Sequence, residues 1–80
     1  MIEILDDKII YKLNNNEVGY VLFSNAHDNT ISIDKVYVNE SNRGKGIASK
    51  MLEFAYDYFT KKNIKIIYEC SYSKKWKNNK

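Results

Sequence analysis

Apolar and polar positions alternate through the first half of the chain, then change to a longer period. Lys8 to Leu13 reads as a strand rich in Ile and Tyr, with Glu3 to Leu5 a short strand before it and Asp6-Asp7 a turn between them. Asn14-Asn15-Asn16 is a turn signal, because asparagine tolerates left-handed backbone. Val18 to Phe23 follows as a strand, with Val18, Tyr20 and Leu22 on one face and Gly19, Val21 and Phe23 on the other. Ser24 to Asn29 reads as a polar loop. It holds the single histidine, His27, to which no role is assigned. Thr30 to Val38 is the next strand, and its pattern slips. Ile31 and Ile33 share one parity, Val36 and Val38 the other. A β-bulge at Asp34-Lys35 accounts for the slip, since one extra residue swaps the faces. A strand buried on both faces accounts for it equally well.

From Ile47 the period lengthens to that of a helix. Ile47, Met51, Leu52, Phe54, Ala55, Tyr58 and Phe59 fall on one side, and the pattern runs to about Lys61. Lys61 and Lys62 complement the dipole at its end, and Asn63 suits the left-handed residue that stops a helix. Ile64 to Cys70 returns to alternation, with Ile64, Ile66, Tyr68 and Cys70 on one face, and Ser71 to Trp76 reads as a short helix. A strand–helix–strand unit of this length makes a right-handed crossover and a parallel pair. The strands ending at Val38 and Cys70 therefore lie side by side, with their carboxyl ends together. Ligands bind at such ends. The fold class is α+β: a mixed, mostly antiparallel sheet with one parallel pair joined by a crossover helix.

The loop between strand and helix breaks a local rule. A helix start carries bare N–H groups and the positive end of the macrodipole, so acidic residues belong there. Arg43, Gly44, Lys45 and Gly46 stand there instead. A bound anion would relieve both cations, and the glycines leave the backbone open to it. The segment has neither the length nor the Lys-Ser/Thr ending of a nucleotide P-loop. It is also a poor dinucleotide fingerprint, because Asn63 and Lys65 stand near the place of the ribose-binding acid.

The run resembles motif A of the GNAT acetyltransferase superfamily, Gln/Arg-x-x-Gly-x-Gly/Ala, with Gly44 and Gly46 matching, Arg43 just before them and Ser41 in the leading position. Cys70-Ser71-Tyr72, some way after that run, sharpens the likeness. The pair of motifs is similar to the small single-domain GNAT-like subfamily that includes N-acetyltransferase domain-containing protein one, over Ile9 to Trp76. The resemblance implies a minimal GNAT fold over residues 1–80 as one domain. It implies acetyl-CoA as acyl donor, no metal, and transfer to an amine of a small molecule or protein. It implies that the backbone of Arg43, Gly44, Lys45, Gly46, Ile47 and Ala48 holds the pyrophosphate. It implies a bulge that splays the parallel strands, with Val36 and Val38 aligning the acyl arm like an added strand. Cys70 and Tyr72 are the candidate catalytic groups: a thiol beside the thioester, and a phenol able to protonate a departing thiolate. Their bland readings are a small buried hydrophobe and a packing aromatic. Many members have His at the place of Lys35 and Pro at that of Tyr68, so Glu69 or a water stands in as base.

Composition adds bounds. Eighty residues with one cysteine exclude a disulfide framework and fit a reducing cytoplasm. No apolar run is long enough to span a bilayer, and no signal peptide is recognisable. So short a chain has a marginal core, which a homodimer or a tightly bound ligand would supplement. The formal charge is +3, with Lys74, Lys75, Lys77 and Lys80 crowding the C-terminus; the stretch reads as a solvated, partly frayed tail, and the sharper reading is attraction to polyanions such as CoA phosphates or nucleic acid. Two other functions stay open. One is a non-catalytic acyl-CoA-binding module. The other is a small nucleic-acid-binding protein, disfavoured because the bases crowd one terminus instead of interleaving with aromatics on a sheet.

Overall fold

The computed structural model describes residues 1–79; Lys80 lies outside the described residues. In chain order the elements are β1 (Ile2–Ile4), β2 (Lys8–Leu13), β3 (Asn16–His27), β4 (Thr30–Val38), α1 (Ile47–Lys61), β5 (Lys65–Tyr68) and α2 (Ser71–Asn78). A single 3-10 turn, Glu40–Asn42, stands between β4 and α1. The strands lie in the order β1-β2-β3-β4-β5. All neighbours are antiparallel except β4 and β5, which are parallel and joined by α1. This is the α+β arrangement that the alternation predicts.

The turns form for the reasons read from the residues. Asn14 and Asn15 take φ of 52° and 67° between β2 and β3, and Asn63 takes φ of 60° at the end of α1. One expectation fails. Ser24 to His27 is not loop but the end of β3, which stays paired to β4 through His27↔Thr30 and turns at Asp28-Asn29. These residues are exposed. Main-chain pairing rather than side-chain burial holds them in the strand, so no apolar alternation betrays it. The basic C-terminal stretch is helical to Asn78, two residues beyond the short helix read at Ser71 to Trp76. Lys74, Lys75 and Lys77 lie on α2, whose last turn carries Lys75 and Lys77 where the dipole favours them.

The slip in β4 is a bulge. Leu22 pairs with Lys35 while the next residue, Phe23, pairs with Ile33, leaving Asp34 as the extra residue. The Asp34 carboxylate accepts from Ser24 Oγ at 2.7 Å and from Ser32 Oγ at 2.6 Å. These bonds tie the extra residue to both strands. The bulge returns Val36 and Val38 to the face that Ile31 and Ile33 occupy before it.

That face meets the helices. Ile9, Val21, Ile33, Met51, Leu52 and Ala55 are buried between the sheet and α1. Phe59 meets Phe23 edge to face, with centroids 5.1 Å apart. At Gly19 a Cβ would come 2.9 Å from Tyr37 O of β4 and 3.2 Å from Met51 Cε of α1, so a side chain here would press on the neighbouring strand's backbone and on the end of Met51. α2 packs on the same side. Trp76 Nε1 donates to Ser49 Oγ of α1 at 3.1 Å, and the indole lies 6.3 Å from the ring of Tyr68. The opposite face, which no described element covers, carries Lys8, Tyr20, Leu22, Lys35 and Tyr37.

Candidate functional site

The site forms where β4 and β5 part. Their pairing runs from Thr30↔Lys65 to Ile33↔Tyr68 and stops there. The amides of Glu69 and Cys70 both donate to Ile33 O, at 3.0 and 3.3 Å, and close the ladder. The Asp34 bulge comes next, and β4 continues to Val38 paired only with β3. Its other edge opens onto a cavity of about 400 Å³. Val36, Tyr37 and Val38 form one wall, and Asn42, Arg43, Gly44 and Gly46 form the rim. Ile47 and Ala48 close the floor beside Tyr72.

Two kinds of main-chain group face this space. Asn39 N donates to Val18 O at 2.8 Å across the β3–β4 ladder. By alternation Val36 and Val38 turn their N–H and C=O groups the other way, to the open edge. The second kind comes from the helix start. Gly46 is the N-cap of α1 at φ 79°, no side chain caps the helix, and its first turn holds no acid. Gly44 is also left-handed, at φ 82°. A Cβ at either glycine would meet nothing within 4 Å. Glycine is needed here for its conformation and not for packing, and what it leaves bare is open space. Uncapped N–H groups at a helix start beside such space suit an anion.

Arg43 is held in place before any ligand arrives. Its Nε donates to Val38 O at 2.8 Å. Its guanidinium lies 5.8 Å from the ring of Tyr37, which stacks on Tyr20 at 5.2 Å, and Lys8 sits 5.9 Å over Tyr20. Tyr37 and Asn42 are site residues that the sequence pattern did not reveal. Tyr37 is on the polar face of its strand, where periodicity gives no signal, and Asn42 lies in a loop.

The remaining sequence candidates divide. Tyr72, on the first turn of α2 and 46% exposed, lines the cavity. Cys70 does not. It is half-buried against the core and caps α2, its Sγ accepting from Ser73 N at 3.3 Å. Lys45 is exposed and outside the cavity wall. Lys35 stands exposed on the uncovered face of the sheet, opposite Leu22, and Glu69 is exposed just past β5. Bases do interleave with tyrosines on the uncovered face. Lys8 and Lys12 there pair with Glu17 and Glu3, at 4.0 and 3.2 Å, which leaves the patch nearly balanced in charge.

The family model for GCN5-related N-acetyl-transferases matches residues 8–80. The chain belongs to the GCN5-related N-acetyltransferase family. By family it is an acyl-CoA-dependent N-acetyltransferase. Its structure is similar to that of a GCN5-like protein from Staphylococcus aureus, with TM-score 0.80, 25% identity, and coverage of 99% of this chain and 78% of the other. Two further likenesses show the fold. An N-acetyltransferase from Staphylococcus aureus Mu50 gives TM-score 0.71 at 23% identity over 90% of this chain and 49% of that one. The PaiA N-acetyltransferase from Thermoplasma acidophilum, solved with coenzyme A, gives 0.65 at 18% identity over 71% and 35%. The chain thus spans about half or less of the length of these two. Among curated proteins no sequence relative was found.

Proposed function

We propose that the loop from Arg43 to Ala48 holds the pyrophosphate of acetyl-CoA, and that the open edge of β4 aligns its acyl arm for direct transfer to an amine in the cytoplasm. The observation that carries this is the meeting of two features at one cavity. These are a strand edge at Val36 and Val38 that no neighbouring strand takes up, with Val38 O meeting Arg43 Nε, and an uncapped helix start behind two left-handed glycines. The first supplies amide and carbonyl partners for an extended amide chain, the second N–H groups for phosphate oxygens. Acetyl-CoA supplies an activated thioester. The chain's own residues bind it, orient it and move a proton. Alignment is the largest part of such catalysis, since a primary amine attacks a thioester without covalent help. As the new C–N bond forms and the C–S bond breaks, the Tyr72 hydroxyl gives a proton to the sulfur, the amine's surplus proton passes to water at the open mouth, and the Tyr72 phenolate takes a proton back from that water. Cys70 shapes the neighbourhood by capping α2.

Calorimetric titration with acetyl-CoA, CoA and a short oligonucleotide tests binding, and thiol release in the presence of an amine panel tests transfer. Saturable CoA binding with none for the oligonucleotide is expected. Tyr72→Phe is expected to keep CoA affinity and lose about 10²-fold or more in kcat. Cys70→Ala is expected to retain turnover. A stoichiometric acetyl adduct seen by intact mass, absent in Cys70→Ala and discharged by an amine, would replace direct transfer with a two-step route. One observation favours a second reading, a non-catalytic acyl-CoA-binding module. The β4 side chain nearest the expected base, Lys35, points to the uncovered face. Saturable acetyl-CoA binding with no thiol release across the panel would establish it.

A further inference from the structure

We propose that a second copy of this chain docks on the free edge of β5, antiparallel about a two-fold axis at Ile67, so that the two sheets join into one. β5 is the end strand of the sheet. Lys65 N donates to Asn29 O at 2.8 Å and Glu69 N to Ile33 O at 3.0 Å, so the odd-numbered residues face inward. By alternation Ile66 and Tyr68 turn their N–H and C=O groups outward, where no strand follows among the described residues. If Ile66 lies opposite the partner's Tyr68, each residue exchanges both bonds with its opposite number, and the two-fold supplies the same exchange again. Every outward group of the strand is then paired.

The same register decides the side chains. Ile67 meets its own copy on the axis. On that face Lys65 lies directly opposite the partner's Glu69, and Glu69 opposite the partner's Lys65. Lys65 and Glu69 are both exposed. Moving the axis to Ile66 sets Lys65 against Ile67, and moving it to Tyr68 sets Glu69 against Ile67. Only the central register pairs opposite charges. A lysine on an edge strand usually keeps foreign strands away. Here its counter-charge is carried by the same strand, reversed, which selects a second copy over an unrelated polypeptide. On the helix side of the edge Ile64, Ile66, Tyr68 and Tyr56, together with Lys65 and Lys77, line an open depression of about 630 Å³, with Tyr56 42% exposed. Ile66 and the partner's Tyr68 form a cross-strand apolar pair over it.

Sedimentation equilibrium over a concentration series tests this, with circular dichroism to check that each variant stays folded. The parent chain is expected to show a reversible monomer–dimer equilibrium. Ile67→Lys, which sets two cations together on the axis, is expected to abolish the dimer. Lys65→Glu and Glu69→Lys are each expected to raise the dissociation constant about tenfold, because two attractive pairs become repulsive. The double variant, which restores both pairs in reverse, is expected to recover most of the loss. A parent chain that stays monomeric throughout, a dimer indifferent to Ile67→Lys, or a charge reversal that fails to rescue would each overturn the proposal.

Discussion

Replacing Gly46 with valine puts a branched side chain into the open space beside the helix start and forces it into a left-handed residue. The conformational part costs about 1–2 kcal/mol of stability. The loss of CoA affinity is expected to be larger, because the new side chain stands where the phosphate would approach the amides. Arg43→Ala is expected to cost about 1–3 kcal/mol of CoA affinity, the range of a charge-assisted hydrogen bond. Calorimetry and denaturant melts on the same samples separate binding from folding. If both variants bind CoA like the parent, the cradle lies elsewhere. Gly19 is a different case, since its φ is ordinary and its neighbours are close. Gly19→Ala drives a methyl toward Tyr37 O and Met51 and is expected to destabilise by about 1–3 kcal/mol, read as a lower melting temperature. Tyr68 sets a pH limit. Burial, with Tyr56 a lesser cause, pushes its phenol above the ordinary 10.0. The unfolded chain then loses this proton first. The neutral ring's contribution is fully present below pH 10 and lost as pH rises through the folded value. Tyr68→Phe is expected to flatten the alkaline fall in melting temperature; an unchanged fall would assign it to other groups.

The elements legible in the sequence are those whose side chains carry their reason for forming. β2 is Lys8–Leu13 and β4 is Thr30–Val38, both within the ranges that the alternation marks out, and α1 closes at Lys61 just before Asn63 turns left-handed. The slip in parity was readable and left two explanations open; the register decides for a bulge, with Asp34 the extra residue. The far half of β3 was not readable, because Asn25 pairs with Ile31 through the main chain while its own side chain stays in water. β5 is shorter than the apolar run suggests for a similar reason. Ile64 N is spent on Phe59 O at the end of α1, and Cys70 leaves the strand to cap α2. Within the site, the glycine loop was legible from charge placed against the dipole. The prop of Tyr37 and Tyr20 behind Arg43 was not. It depends on which tyrosines become neighbours when β3 and β4 pair, at Tyr20↔Tyr37.

At the scale of the whole molecule, stability and ligand are coupled. The core is one layer of side chains between a five-stranded sheet and its helices, and a chain of this size has little to spare. A ligand that binds only the folded state, at a hundredfold excess over its dissociation constant, adds about 2.7 kcal/mol. For a domain this small the melting temperature is expected to rise by roughly 10–20 °C, which differential scanning fluorimetry with acetyl-CoA would read directly. Inorganic sulfate at the same helix start is expected to give a smaller rise. No rise at saturating acetyl-CoA would count against the cradle. The strand order has a consequence of another kind. Each strand neighbours the one next to it in sequence, so the first four form by closing short turns, and such local closures are fast. Only the step that lays α1 across the sheet and brings β5 beside β4 closes a long stretch of chain. That last step is also the one that creates the parting of the strands and the cavity. That closure carries the largest loop entropy of the strand pairings, and the binding edge is complete only once it is made.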